Sequence, residues 1–219
     1  MAPVAGHTGF DSARLVRLLA TPTTAGLPAA RPAVAEQLGN WLGWTGSLAL
    51  AGALNTPSPA DTGPGPAPAA AAAAQAALAR LRSEIARLVD DDEVLGLRSP
   101  GTDDFPTCRR AYQSLQRSMA ARVAALRGEL RALLARQGPA LARLAAIDAA
   151  LDEGLAARER HLLSGVPALL QRRLESRAGA DAPALAPQLR ELLGAELDVR
   201  LQAVEGLVQA LGPSTNDSP

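Results

Sequence analysis

From residue 75 onward, the apolar positions of this chain recur at the spacing of a helix face and not at the alternation of a strand. Within residues 75–89, Leu78, Leu81, Ile85 and Leu88 fall at i, i+3, i+7 and i+10, a single stripe along one helix. Within residues 108–137 the stripe is Tyr112, Leu115, Met119, Val123, Leu126, Leu130 and Leu133. Its steps of three and four residues average about 3.5, the coiled-coil period. Gly138-Pro139 stops that helix and opens the next, because proline is tolerated in a first turn. The next stripe is Leu141, Leu144, Ile147, Leu151 and Leu155, then Leu162, Val166 and Leu169, with Pro167 predicting a kink or break. A last helix from residue 187 carries Leu189, Leu192, Leu197, Leu201, Val204, Val208 and Leu211 before Gly212-Pro213. Long helices joined by short turns pack antiparallel, so residues 75–211 are expected to form an all-α antiparallel bundle or coiled-coil hairpin. Between its first two helices, Pro100-Gly101 and Pro106 mark turns, and Asp103 and Asp104 suit the positive start of the helix that follows.

Upstream, residues 10–55 read as a small helical module. Asp11 or Ser12 caps a helix with Leu15, Val16, Leu18 and Leu19 on one face, ended by Pro22. A second helix starts near Pro32 and carries Val34, Leu38, Trp41 and Leu42; a third runs from Ser47 to Leu54, with a break near Trp44-Thr45-Gly46. Residues 38–54 contain no charge and are barely long enough to span a bilayer. Gly39, Gly43, Gly46 and Gly52 interrupt them, so two short buried helices are expected instead. Residues 56–74 read as a Pro/Ala-rich, semi-rigid linker. Residues 1–9 and 212–219 read as disordered ends, and the N-terminus lacks the basic and apolar regions of a secretory signal.

Composition removes most chemistry. The two Trp, two Phe and one Tyr argue against a sheet protein, and the single Cys108 cannot form an internal disulfide. All 22 basic residues are arginine; with no lysine, a phosphate-cradling G-x-x-x-x-G-K-[ST] loop is impossible. Two histidines, His7 and His161, and one cysteine are too few for a zinc site, and no G-x-S-x-G nucleophile turn occurs. Asp148 and Asp152 share a helix face, yet no Glu-x-x-His accompanies them as a di-metal bundle site would need. The run Asp90-Asp91-Asp92-Glu93 lacks the alternating spacing of an EF-hand. No enzyme activity, cofactor or metal is therefore expected.

Charge and aromatic placement are more informative. Residues 108–137 hold seven arginines against one acid, Glu129, whereas residues 179–211 hold two arginines against five acids. At 100° per residue, Arg109, Arg110, Arg117, Arg127 and Arg131 fall in one arc beside the apolar stripe. This ribbon can meet an anionic membrane, nucleic acid or an acidic partner, or it can be neutralised inside the fold by the acidic C-terminal helix. Nucleic acid is the weakest of these, because only Tyr112 offers a stacking ring and the net charge is zero. Both tryptophans, Trp41 and Trp44, sit three residues apart at a helix end. They serve either the core of the small module or a partner-docking surface, the latter because so short a module buries two indoles with difficulty.

The runs FDSARLVRLLA, AEQLGNWLGWTGSLALAGALN, FPTCRRAYQSLQRSM, LDEGLAARERHLLSGVPALLQRRLE and AELDVRLQAVEGLVQALG together resemble a proteobacterial family, domain of unknown function 3348. The resemblance covers nearly the whole chain except the proline-rich segment. It departs at Gly46, where a helix-capping acid is expected, and at Thr107-Cys108 ahead of the paired arginines. The resemblance brings no active site to carry over. It implies a bacterial cytoplasmic helical protein whose gene neighbours encode envelope proteins, motor-stator-like ones among them, and hence an accessory to an inner-membrane assembly. The expected function is a non-enzymatic helical interaction protein. Leu115, Met119, Leu126 and Leu130 would pack a protein partner or a second copy, Trp41 and Trp44 would dock an envelope protein, and the arginines would steer. The alternative is a peripheral binder of anionic membrane or nucleic acid acting through the arginine ribbon.

Overall fold

The structure is a computed structural model that describes residues 12–19, 34–56, 66–92, 94–95, 105–176 and 185–212. Its described residues form an all-α fold of seven helices: α1 (Ser12–Leu19), α2 (Val34–Asn55), α3 (Pro68–Asp90), α4 (Phe105–Ala135), α5 (Pro139–Ser164), α6 (Val166–Ser176) and α7 (Leu185–Ala210). The expected disordered ends, apart from Gly212, and residues 57–65 of the proline-rich segment lie outside the described residues.

The helix α4 is the centre of the bundle and packs against α3, α5, α6 and α7. Its stripe is buried from Tyr112 to Leu130: Tyr112, Leu115, Met119, Val123, Leu126 and Leu130 join Ile85 of α3 and Leu193, Leu201 and Val204 of α7 in one core. At the end of the helix Leu134 is buried in place of the expected Leu133, which is only partly covered. Gly138, at φ 133, makes the sharp turn between α4 and α5 that a Cβ would resist. The expected break at Pro167 falls two residues earlier. There α5 ends at Ser164, Gly165 forms its C-cap, and Pro167 sits in the first turn of α6, where its missing N–H costs nothing.

Two boundaries differ from the sequence reading. The segment 56–74 is not linker throughout: α3 begins at Pro68, and Ala70 and Ala74 are already buried. Alanine, the strongest helix former, extends the helix back to a proline that fits its first turn. Nor do residues 10–55 pack as a module of their own, since α1 lies on α6 and α7 while α2 lies on α5. Leu15 of α1 enters the main core, and Arg14 bonds Asp198 of α7 at 3.2 Å. A piece this short buries too little apolar surface by itself, so each helix seeks the larger bundle.

Candidate interaction surface

The placement of α2 begins with Gly43, whose backbone leaves the helix at φ 65, ψ −175, a region open only to glycine. This is the break expected near Trp44, displaced by one residue. It turns Leu42 inward, where it is buried against α5 outside the main core. A Cβ built on Gly154 would lie 2.4 Å from Leu42 Cδ2, and one built on Gly46 would lie 3.5 Å from Gly154 Cα. These two glycines therefore allow α2 and α5 to approach closely. At the far end Arg143 donates to the carbonyl of Leu54. Leu42, Thr45, Gly46 and Ala49 face Ala150, Glu153 and Gly154 across a cleft of about 400 Å³.

Several apolar side chains of α2 remain exposed. Trp44 is 85% exposed, Leu48 62%, Leu54 47% and Trp41 38%. The Trp41 ring is held by the Arg158 guanidinium 5.2 Å from its centroid, whereas Trp44 projects away. Of the two sequence readings of the tryptophans, core packing fails: neither indole is buried.

The remaining candidate residues divide differently from expectation. Leu115, Met119, Leu126 and Leu130 are all buried, so they do not form a seam for a partner or a second copy. Their stripe is consumed internally because α4 is surrounded by other helices. The arginine ribbon also splits. Arg127 holds Asp148 through two bonds of 2.6 and 2.8 Å and Asp152 through a third of 2.8 Å. Arg131 bonds Asp152 at 2.7 Å. These two arginines are thus neutralised inside the fold by α5, not by the acidic C-terminal helix. Three acids of α7 are held instead by Arg14 and Arg82 at Asp198, Arg82 at Glu205, and Arg200 at Glu196. Arg109, Arg110 and Arg117 are exposed, with Arg110 donating to Thr107 Oγ1 at 3.2 Å. Burial works against the charge of Arg127, but its bond to Asp148 and the field of both aspartates raise its pKa overall.

Sequence reasoning missed a buried polar cluster between α4, α5 and α7. Glu196 is fully buried; it accepts from the Tyr112 hydroxyl and, at 2.9 Å, from Gln116 Nε2. The same amide donates to the carbonyl of Leu163 at 3.0 Å. Arg200 lies 3.9 Å from Glu196 and bonds Glu159 at 2.6 Å. Burial pushes the Glu196 carboxyl above its usual range, opposed by the bonds from Tyr112 and Gln116 and by the Arg200 charge. Burial, reinforced by Glu196, likewise pushes the Tyr112 phenol far up, so it remains a donor. The available signal was phase: Glu196 stands three and four residues after Leu193 and Leu192, on the buried side of α7.

The polar groups that this fold brings together serve to lock helices to one another. Among the described residues no group of three or more His, Cys, Asp or Glu side chains is placed to hold a metal ion. Nor is any helix among the described residues long and apolar enough to cross a membrane. What stands apart is one peripheral helix, free of charge from Gln37 to Asn55, that presents aromatic and aliphatic side chains on a helical bundle.

The chain belongs to the family described as Protein of unknown function (DUF3348), whose profile matches residues 1–188. No curated protein and no solved structure matches it.

Proposed function

We propose that this protein is a non-enzymatic helical adaptor that recognises a protein partner through the outer face of α2. The observation that carries this reading is Trp44, 85% exposed on a helix with no charge from Gln37 to Asn55 and with α5 as its sole helical neighbour among the described residues. The apolar face of a helix ordinarily ends up buried. Large aromatic side chains are also the residues that most often anchor interfaces. The gene neighbourhood implied by the family resemblance supports an envelope protein as the partner, met on the cytoplasmic side of an inner-membrane assembly. A tagged full chain recovered from detergent-solubilised cells should bring down that partner, and Trp41→Ala with Trp44→Ala should release it. Recovery of the same proteins by both forms would reject the reading.

Arg109, Arg110 and Arg117 support a second reading, an anionic surface met by the start of α4, because they remain exposed after Arg127 and Arg131 have been neutralised. Binding of that kind falls steeply with salt, and an affinity insensitive to salt excludes it.

A further inference from the structure

Resting on the docking role given to α2, we infer that the first occupant of this face is a second copy of the same chain, with Trp44 of each copy seated in the α2–α5 cleft of the other. The first support is that ridge and cleft lie on the same chain and the same half of one helix. At 100° per residue, the exposed Thr45 and Ala49 that line the cleft lie roughly 100° around α2 from the Trp44–Leu48 ridge. A two-fold interface must be self-complementary, with each copy offering both the projection and its receptacle. The cleft of about 400 Å³ is lined mainly by small side chains and backbone, which leaves room for a ring to enter.

Charge is the second support. A strongly charged face repels its own copy, but α2 carries no charged residue from Gln37 to Asn55. Of the charges beside it on α5, Arg143 is engaged with the Leu54 carbonyl, and Glu153 and Arg158 are exposed and opposite in sign, so a two-fold axis can set each of these two against its complement. The third support is area. A stable interface takes roughly 800 Å² from each partner, and one indole supplies roughly 200 Å² of that. Trp44 and Leu48, four residues apart on one side of α2, form the apolar centre of such a patch. A lipid surface fits less well, because interfacial helices have a distinct cationic face and α2 has none.

The test is sedimentation equilibrium on the full chain over a wide concentration range, together with Trp44 emission in a Trp41→Phe background. A reversible dimer is expected, with Trp44 emission shifting to the blue as it forms. Trp44→Ala should weaken dimerisation by roughly thirtyfold or more. Ala49→Phe, which fills the cleft from an exposed position, should do the same while the helical circular dichroism stays unchanged. A chain that is monomeric at every concentration overturns the inference, as does a dimer indifferent to both substitutions. So does a monomer whose Trp44 shifts only on vesicles of phosphatidylcholine and phosphatidylglycerol. A monomer that still captures an envelope protein through Trp44 overturns this inference and leaves the adaptor reading standing. A Trp44-dependent dimer that captures nothing does the reverse.

Discussion

Replacing Tyr112 by phenylalanine deletes one oxygen from the buried cluster and leaves the ring in place, so its effect can be worked out from the structure. The lost bond runs to Glu196, which is fully buried and keeps Gln116 and Arg200 as partners. A hydrogen bond to a charged group contributes roughly 1.5–3 kcal/mol, so a loss of about 2 kcal/mol is expected at neutral pH. For a domain of this length that lowers Tm by about 4–8 °C. The pH dependence has a definite sign. Glu196 has a raised pKa in the fold, so its ionised form carries a penalty that is absent below the unfolded pKa and complete above the folded one. Because the Tyr112 bond holds that pKa down, Tyr112→Phe raises it further and enlarges the penalty only where Glu196 is ionised. The difference in Tm from the parent should be larger at about pH 8 than at about pH 5, and Glu196→Gln should abolish that dependence. Calorimetric melts of the three chains at both pH values provide the assay. An equal fall at both pH values, or no measurable fall at all, would refute the assignment of Glu196 as a buried, hydrogen-bonded carboxylate.

Three further outcomes follow from the same geometry. Arg127→Met leaves Asp148 buried with only the longer contact to Arg131 at 3.5 Å, and urea unfolding should show a loss of about 3 kcal/mol, whereas adding Asp148→Leu should restore most of it. Leu42→Ala removes the side chain that wedges α2 onto α5. Hydrogen exchange should then accelerate across α2 and stay nearly unchanged in α4 and α7. Gly43→Ala forces a side chain into a conformation at φ 65 and should cost about 1–3 kcal/mol for the attachment of α2, read as the same local exchange.

Much of the bundle was legible because its signals are local. The α4 stripe repeats over enough turns to fix both the helix and its buried face, and Gly138-Pro139 marks the turn within two residues. What escaped depends on partners distant in sequence. Asp148 and Asp152 look like a solvated pair until α5 is rotated against α4, which brings them to Arg127, 21 and 25 residues away. Gln116 and Glu196 are 80 residues apart, and neither shows its partner in the local pattern. The start of α3 was misplaced because the prolines outweighed the alanines behind them. Trp41 and Trp44 gave the same pattern for core and for surface; the turn at Gly43 and the seam at Gly154 decide which face of α2 is spent on α5.

The outer face of α2 is the surface proposed here for partner binding. The most direct test is site-specific crosslinking in living cells, with a photoreactive phenylalanine derivative placed singly at Trp44, Leu48, Arg110 or Arg117. Crosslinks from positions 44 and 48, to a second copy or to an envelope protein, with none from 110 and 117, are the predicted result. Crosslinks confined to 110 and 117 would place the contact on the start of α4 and contradict a role for α2.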